Sequence, residues 1–149
     1  MKIKIYLDVC SWYRPFDDQS QSRIRIEAEA VQIILEMSDL GQIEISISDI
    51  IVYENSGTKD LVKMHNVRQL LKSCKDYIPY DQNIQKRAFE LSRDGFTPLD
   101  ALHLASAETG GVDYLITTDD KFQKKYDQLR DPINVKVMNP IDFVKGADI

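Results

Sequence analysis

Five acidic residues lie next to predicted strands, where they could share one ligand. Asp8 ends the first predicted strand, and Glu54 follows the second after one short helical stretch. Asp119 and Asp120 follow the third strand, and Asp100 opens the helix that leads into it. Ligands of parallel α/β sheets bind outside the carboxyl ends of the strands, so we expect these acids to lie close together.

Such a group of carboxylates indicates a hard metal ion. Carboxylates that converge on one point repel each other, and the cluster is costly unless a cation neutralises it. Carboxylate oxygens without clustered histidines or thiolates favour Mg²⁺ or Mn²⁺. These ions activate water and stabilise the charge that grows on a phosphoryl group. The expected chemistry is therefore metal-assisted attack on a phosphate ester.

Three of these acids also have a purely structural interpretation. Thr97 could cap the helix that begins near Asp100, with Asp100 as the acid of a capping box. Asp119 and Asp120 could do no more than cap the helix that follows them or complement its dipole. Taken one at a time, these acids are a weak signal of function.

Asp8 and Glu54 are harder to explain in structural terms. Asp8 closes a strand that is expected to be buried, where a carboxylate needs a partner. Glu54 follows Ile50 by four residues and Ile51 by three, which puts it on the apolar side of its helical segment. Coincidence explains any one acid more easily than four acids at one end of one sheet.

The elements that must position these acids follow from the spacing of apolar residues. Alternation predicts strands at residues 3–7, 43–47, 113–117 and 134–138. Helical spacing predicts helices at residues 23–38, 49–54, 58–74, 82–93 and 98–109. Strands that alternate with helices form mainly parallel sheets covered on both faces. We expect an α/β fold, a three-layer α/β/α sandwich with a mainly parallel central sheet.

Composition predicts one domain over residues 1–149, since this length is close to the commonest domain size. No apolar run is long enough for a signal region or a membrane span, so we expect a cytoplasmic protein without a membrane partner. The net charge of −5 argues against binding nucleic acid by bulk positive charge. Any contact with nucleic acid should be local or mediated by metal.

The cysteines and histidines do not indicate a zinc site. Cys10 and Cys74 do not form a close pair, and we expect reduced thiols. Cys10 has no basic neighbour in sequence that would lower its pKa, so we expect a small buried side chain. For His103, three residues after Asp100, we expect a packed and hydrogen-bonded side chain.

Four segments of the chain resemble the PIN-domain family, the fold of VapC-like ribonuclease toxins in bacterial type II toxin-antitoxin pairs. These segments are Ile5-Tyr6-Leu7-Asp8, Ser48-Asp49-Ile50-Ile51-Val52-Tyr53-Glu54, Pro98-Leu99-Asp100-Ala101-Leu102-His103-Leu104-Ala105 and Leu115-Ile116-Thr117-Thr118-Asp119-Asp120-Lys121-Phe122. Their order and spacing extend the resemblance over essentially the whole chain. The resemblance implies an endoribonuclease that uses Mg²⁺ or Mn²⁺ to hydrolyse RNA, with an antitoxin protein as a candidate partner.

The same resemblance implies which residues carry the chemistry. The implied catalytic residues and metal ligands are Asp8, Glu54, Asp100 and Asp119, with Asp120 as a further candidate ligand. The chain departs from the family pattern after its first aspartate. Many PIN domains place Thr or Ser there and then Ser or Asn, whereas this chain has Val9 and Cys10. At residues 9 and 10 this turn therefore lacks the hydroxyl or amide side chains that many PIN domains place there.

One basic residue is a candidate for substrate binding. Arg14 lies in the loop after Asp8, where its forked side chain could reach a phosphate of the substrate. It belongs to an Arg-Pro-Phe-Asp-Asp stretch at residues 14–18, which resembles a branch of such proteins less securely tied to toxin function. Nuclease activity is therefore predicted more firmly than a toxin role.

Other functions explain the sequence less well. A haloacid-dehalogenase enzyme would need a second aspartate at the position of Cys10, and a receiver domain would need an acidic neighbour beside Asp8. The alternative that stays open is a catalytically silent PIN fold that binds RNA or protein. The departure at Val9 and Cys10 favours it, whereas the presence of all four acids favours catalysis.

The predicted helix at residues 23–38 has two apolar faces. One contains Ile24, Ala28, Val31 and Leu35, and the other contains Ile26, Ala30, Ile33 and Met37. A helix outside a sheet needs only one apolar face for the core. The second face could contact the predicted helix at residues 58–74 or a second subunit. PIN-domain toxins commonly dimerise, so we expect a homodimer that uses part of the second face.

Overall fold

The computed structural model describes residues 2–146, which form a parallel sheet covered by helices. The strands are β1 (Ile3–Leu7), β2 (Ile43–Ser48), β3 (Asp76–Ile78), β4 (Tyr114–Ile116) and β5 (Lys136–Met138). The helices are α1 (Val9–Tyr13), α2 (Ser22–Asp39), α3 (Asp49–Ser56), α4 (Leu61–Leu71), α5 (Gln82–Ser92), α6 (Pro98–Thr109), α7 (Asp120–Asp127) and α8 (Pro140–Gly146).

The strand order is β3-β2-β1-β4-β5, and every neighbouring pair is parallel. Strand β1 lies at the centre, where Ile5 pairs with Ile45 on one side and with Tyr114 on the other. The chain builds β2 and β3 on one side of β1 and then crosses to build β4 and β5 on the other. Such a reversal of strand order opens a crevice at the carboxyl ends of the strands, here beyond β1.

The core covers both faces of the central strand. Ile5, Tyr6 and Leu7 are all fully buried, although successive side chains of a strand point to opposite faces. Continuous apolar burial of this kind is typical of a parallel sheet between two helical layers. The predicted three-layer α/β/α architecture is confirmed.

Side-chain caps begin the helices that surround the crevice. The hydroxyl of Ser48 accepts a hydrogen bond from the Ile51 N–H at 3.2 Å and starts α3 directly after β2. Thr97 does the same for the Asp100 N–H and starts α6. Because the cap is the last residue of the strand or loop, the first turns of these helices lie at the carboxyl edge of the sheet.

The structure differs from the predicted elements at one edge of the sheet, and it contains α1 and α8, two helices that the spacing of apolar residues did not predict. The predicted helix at residues 58–74 is shorter, because Asp60 caps α4 and the helix ends at Leu71. The chain then forms β3, a strand of three residues that was not predicted. Only Ile78 of this strand is buried, so an edge strand of this length lacks the alternation that identifies longer strands.

Three of the four residues on the predicted second face of α2 are at least partly buried within the chain. Helix α2 packs against α8, rather than against α4. Ala30 is buried and Ile33 is half-buried, whereas Ile26 stays 48% exposed. Within residues 2–146, none of the helices combines the length and apolar character needed to cross a lipid bilayer.

Candidate active site

Asp8 is a buried carboxylate held at both oxygens. It caps α1, and its Oδ1 accepts the backbone N–H of Ser11 at 3.0 Å. Its Oδ2 accepts the hydroxyl of Thr117 at 2.6 Å. Burial raises the pKa of Asp8, while the hydrogen bond from Thr117 opposes that rise. Polar support for Asp8 therefore comes from Ser11 and Thr117, and Val9 and Cys10 are not needed for it.

Glu54 lies at the end of a hydrogen-bonded chain through the core. Its Oε1 is 2.6 Å from Nε2 of His103, and Nδ1 of that ring is 2.7 Å from the Tyr6 hydroxyl. The Tyr6 hydroxyl is also 2.7 Å from the hydroxyl of Ser48. His103 is buried and bonded at both nitrogens, as predicted, yet its packing role also fixes the orientation of an acid in the crevice.

Asp100 lies in the first turn of α6 and is half-buried. Its pKa is raised to about 6. Burial is the largest cause, and the negative charges of Asp119 and Asp8 also contribute to the rise. A carboxylate responds in this way when other carboxylates stand near it. Asp8, Asp100 and Asp119 are therefore electrostatically coupled, as expected of acids that face one crevice.

Asp119 caps α7 and is tied to Asp8 through one shared residue. Its Oδ1 accepts the N–H of Lys121 at 2.9 Å. Its own N–H donates to the Thr117 hydroxyl at 3.0 Å, and that hydroxyl donates to Asp8. Sequence reasoning missed Thr117. The signal for it was its position, two residues before Asp119 at the end of a buried strand.

Cys10 stands near these acids, and the prediction that its side chain is buried is wrong. It is exposed rather than buried, because α1 turns Val9 and Trp12 inward and leaves Cys10 on the other side. The pKa of its thiol is raised, first by desolvation from the surrounding protein and then by four negative charges. Those charges belong to Asp8, Glu54, Asp119 and Asp100. The four acids therefore lie near Cys10, whose thiol stays protonated.

Asp120 is paired with an arginine, and it lines one cavity together with Thr117 and Asp119. Both of its oxygens accept hydrogen bonds from Arg23, at 2.7 and 2.6 Å. This bidentate pair lowers the pKa of Asp120, and the side chain of Asp120 is 73% exposed. The structure thus pairs Asp120 with Arg23 at the start of α2, beside Asp119 on a shared cavity.

Arg14 is held by two carboxylates. Its Nε donates to Glu27 at 2.9 Å, and its Nη1 donates to Asp17 at 3.0 Å. Glu27 is fully buried and also accepts hydrogen bonds from Arg23 and Asn139. Sequence reasoning missed Glu27, although its position four residues after Arg23 on a helix was a signal for an ion pair.

A family model matches most of the chain. The model of the PIN domain covers residues 5–128, a range that contains Asp8, Glu54, Asp100 and Asp119.

The chain belongs to the PIN domain family.

This membership confirms the resemblance that the four sequence segments indicated.

Solved structures of similar fold include PIN proteins of toxin-antitoxin systems. VapBC2 from Rickettsia felis, bound to a DNA fragment from their promoter, has a TM-score of 0.61 and 16% identity, covering 92% of this chain and 98% of that chain. A toxin-antitoxin complex from Klebsiella pneumoniae has a TM-score of 0.61 and 22% identity, with coverage of 91% and 97%. VapC20 from Mycobacterium tuberculosis, a sarcin-ricin loop cleaving toxin, has a TM-score of 0.59 and 11% identity, with coverage of 80% and 93%.

These likenesses concern the fold of the PIN domain. No curated protein matches the chain significantly in sequence.

The acids of this PIN domain fit a hard divalent cation in their donor chemistry. They offer carboxylate oxygens whose negative charges raise the pKa of Asp100, which is the electrostatic setting that a cation relieves. Within residues 2–146, however, no group of three or more His, Cys, Asp or Glu side chains stands close enough to hold an ion as placed. An ion held by three or more of these side chains therefore requires them to draw closer together.

Proposed function

We propose that this PIN domain is a divalent-metal-dependent endoribonuclease that hydrolyses phosphodiester bonds of RNA. Asp8, Glu54, Asp100 and Asp119 are the proposed catalytic residues and ligands of Mg²⁺ or Mn²⁺. The observation that carries the proposal is that Asp8 and the N–H of Asp119, at the carboxyl edge of the sheet, both bond to the hydroxyl of Thr117 in a chain that belongs to the PIN domain family. Carboxylates gathered at the crevice of a parallel sheet are costly without a cation.

The chain's own residues prepare the acids for this role. Thr117 and the Ser11 N–H hold both oxygens of Asp8, so the carboxylate has a fixed direction. His103 holds one oxygen of Glu54 and leaves the other outside that bond. When bound, Mg²⁺ or Mn²⁺ supplies an activated water and neutralises charge at the scissile phosphate. Such outer partners commonly orient the ligands of a metal site.

Contact with the RNA backbone is proposed to be local. The bonds of Arg14 to Glu27 and Asp17 use Nε and Nη1 and leave Nη2 outside both, so one phosphate can be a third partner of Arg14. With a net charge of −5, the protein has little bulk attraction for a polyanion. Asp120, which is paired with Arg23, is proposed as support for that arginine rather than as a ligand.

Cleavage of single-stranded RNA by the purified protein tests the proposal. Cleavage is expected with millimolar Mg²⁺ or Mn²⁺ and is expected to stop with EDTA. Asp100→Asn and Glu54→Gln should abolish cleavage while the fold is kept or stabilised, since repulsion among the acids is relieved. The metals should also raise the thermal midpoint of the wild type, because they bind only the assembled acids. Cleavage that survives EDTA or both amide variants would contradict the proposal.

We further propose that the protein is the toxin of a type II toxin-antitoxin pair, with an antitoxin protein as partner and a homodimer as its own assembly. The support is its PIN domain together with the fold it shares with proteins from toxin-antitoxin complexes. Induced expression of the wild type should arrest bacterial growth, and expression of Asp100→Asn should not. Equal growth of both strains at equal protein levels would contradict the toxin role.

A second candidate is a PIN fold that binds RNA or protein without turnover. The observation in its favour is that residues 2–146 contain no group of three ligands ready to hold an ion. This candidate predicts RNA binding that is the same with Mg²⁺ and with EDTA, no cleavage in either, and no heat of Mn²⁺ binding by calorimetry. The nuclease proposal predicts cleavage with Mg²⁺ and a measurable heat of Mn²⁺ binding.

A further inference from the structure

A cavity of about 420 Å³ opens directly beside Glu54. Its walls include the rings of Tyr13 and Tyr53 and the side chain of Leu99, and residues 56–58 line its remaining side. Glu54 itself is part of the lining, so the cavity and the proposed metal site share a carboxylate. A ligand in this cavity would therefore lie next to the RNA phosphate that the proposed nuclease hydrolyses.

One aromatic wall is fixed before any ligand binds. The Tyr13 hydroxyl donates to Oδ1 of Asn55 at 2.8 Å, and Asn55 is only 2% exposed. The amide of Asn55 donates in turn to the Met64 carbonyl at 3.2 Å. On the Tyr13 ring, the ammonium of Lys63 lies 5.2 Å from the ring centroid. Tyr13 is thus a preorganised surface, and preorganisation reduces the entropy lost on binding.

The other aromatic wall is open to solvent. Tyr53 is 70% exposed, although a tyrosine ring has a large apolar surface. It directly precedes Glu54 in α3, and Leu99 directly precedes Asp100 in α6. Tyr53 and Leu99 are therefore attached to α3 and α6, the two helices that carry Glu54 and Asp100.

We propose that this cavity accepts an unpaired nucleobase of single-stranded RNA, stacked on Tyr53 beside the phosphate to be cleaved. This inference rests on the proposed ribonuclease function and names the form of its substrate. Unstacked bases of single-stranded RNA are commonly bound by stacking on aromatic side chains. The cavity volume is within the range of small-molecule sites, which is ample for one base.

The charge of the surroundings favours a base over other parts of the RNA. The carboxylate of Glu54 on the cavity lining disfavours a phosphate inside the cavity itself, whereas a nucleobase is uncharged and binds through its π face. Stacking also supplies affinity that a chain of net charge −5 does not obtain from bulk electrostatics. Ser56 and Thr58 are polar residues of the same cavity lining and would lie near the polar edge of the base.

The test measures binding of a single-stranded RNA that carries one 2-aminopurine, whose fluorescence falls when it stacks. The Asp100→Asn protein with Mg²⁺ serves as the parent, since it is expected not to cut the RNA and Asp100 does not line the cavity. We expect the parent to quench the probe. Adding Tyr53→Leu should weaken binding about tenfold or more, the usual effect of losing one aromatic stacking partner.

Two matched variants control for general effects. Tyr53→Phe keeps the ring and should bind within about twofold of the parent. Phe89→Leu removes another exposed aromatic, on α5 and outside the cavity lining, and should leave binding and quenching unchanged. Both positions are exposed, and unchanged thermal midpoints would show that every variant is folded.

An abasic nucleotide completes the test. Replacing the 2-aminopurine by an abasic site should weaken binding to the parent as much as Tyr53→Leu does and should cost the Tyr53→Leu protein little, because both changes remove one contact. Additive losses, or a Tyr53→Leu protein that binds and quenches like the parent, would overturn the nucleobase site. If wild type never cleaves RNA but the quenching depends on Tyr53, the nuclease proposal fails and the nucleobase site stands.

Discussion

Nε2 of His103 lies 2.6 Å from Oε1 of Glu54 and joins a buried ring to an acid of the crevice. The other ring nitrogen contacts the Tyr6 hydroxyl at 2.7 Å. If that hydroxyl donates to Nδ1, the ring is neutral and its Nε2–H donates to Glu54. A carboxylate oxygen held in this way has one direction rather than many, which lowers the entropic cost of sharing it with an ion.

We therefore expect His103 to act as a positioning residue for Glu54. His103→Ala should weaken Mn²⁺ binding about tenfold or more, the usual effect of removing an outer partner of a metal ligand. His103→Gln keeps a donor close to the place of Nε2 and should recover much of the affinity. Isothermal titration calorimetry with Mn²⁺ measures both variants. A His103→Ala protein that is less stable but binds Mn²⁺ as tightly as wild type would limit His103 to a packing role.

Adjacent acids offer a matched pair for mapping the ligands. Asp119→Asn should lower Mn²⁺ affinity and RNA cleavage at least about tenfold, since it removes a proposed ligand. Asp120→Asn should leave both unchanged, because Asp120 is paired with Arg23 and is largely exposed. Its effect on the free energy of unfolding should stay within about 1 kcal/mol, as is usual for exposed ion pairs. Equal losses of Mn²⁺ affinity in the two variants would place Asp120 among the ligands.

Asp100 should make the metal-free protein sensitive to pH. Burial and neighbouring acids raise its pKa from 3.8 to about 6, so the folded state holds this proton more tightly than the unfolded state. The stabilising contribution is complete below about pH 4 and is lost as the pH rises to about 6. In EDTA, the free energy of unfolding of wild type should therefore fall relative to that of Asp100→Asn across this window.

Urea denaturation of the two proteins at several pH values measures this difference. Added Mg²⁺ should oppose the fall in wild type, because the ion binds the ionised carboxylates. Parallel curves for wild type and Asp100→Asn in EDTA would show that Asp100 does not carry the effect.

The sequence alone predicted β1 and the place of Asp8, because the pattern that predicts them lies within a few neighbouring residues. The alternation of Ile3, Ile5 and Leu7 identifies β1, and the rule for parallel sheets then brings the following acid to the crevice. The hydrogen-bond partners of the acids could not be predicted from such local patterns. Thr117 meets Asp8 across 109 positions of the chain, and that contact exists only once β4 pairs with β1.

Errors in the sequence interpretation have the same origin. Cys10 was expected to be buried because it has no basic neighbour in sequence, but the direction of each α1 side chain is set by packing against the rest of the molecule. Glu27 has an ordinary helical sequence context, yet it is fully buried because Arg14, Arg23 and Asn139 converge on it. Charge pairing over long sequence separations has no local pattern.

The proposed homodimer rests on the part of α2 that the chain leaves uncovered. Helix α8 packs against α2 and Ala30 on this face is buried, but Ile26 remains 48% exposed. An isoleucine at this position gains stability from a second copy of the chain without any change in the core. The half-buried Ile33 lies further along the same face and is a less clean site for substitution.

Ile26→Glu should therefore convert a dimeric wild type into a folded monomer. The glutamate can stay in solvent when the protein is monomeric, whereas an apolar interface would bury its charge without a partner. Leu40→Glu is the matched control, because Leu40 is 74% exposed just beyond the end of α2 and should leave the dimer intact. Light scattering at tens of micromolar protein gives the mass of each variant. A monomeric wild type, or an Ile26→Glu protein that remains dimeric, would remove α2 from any interface between copies of the chain.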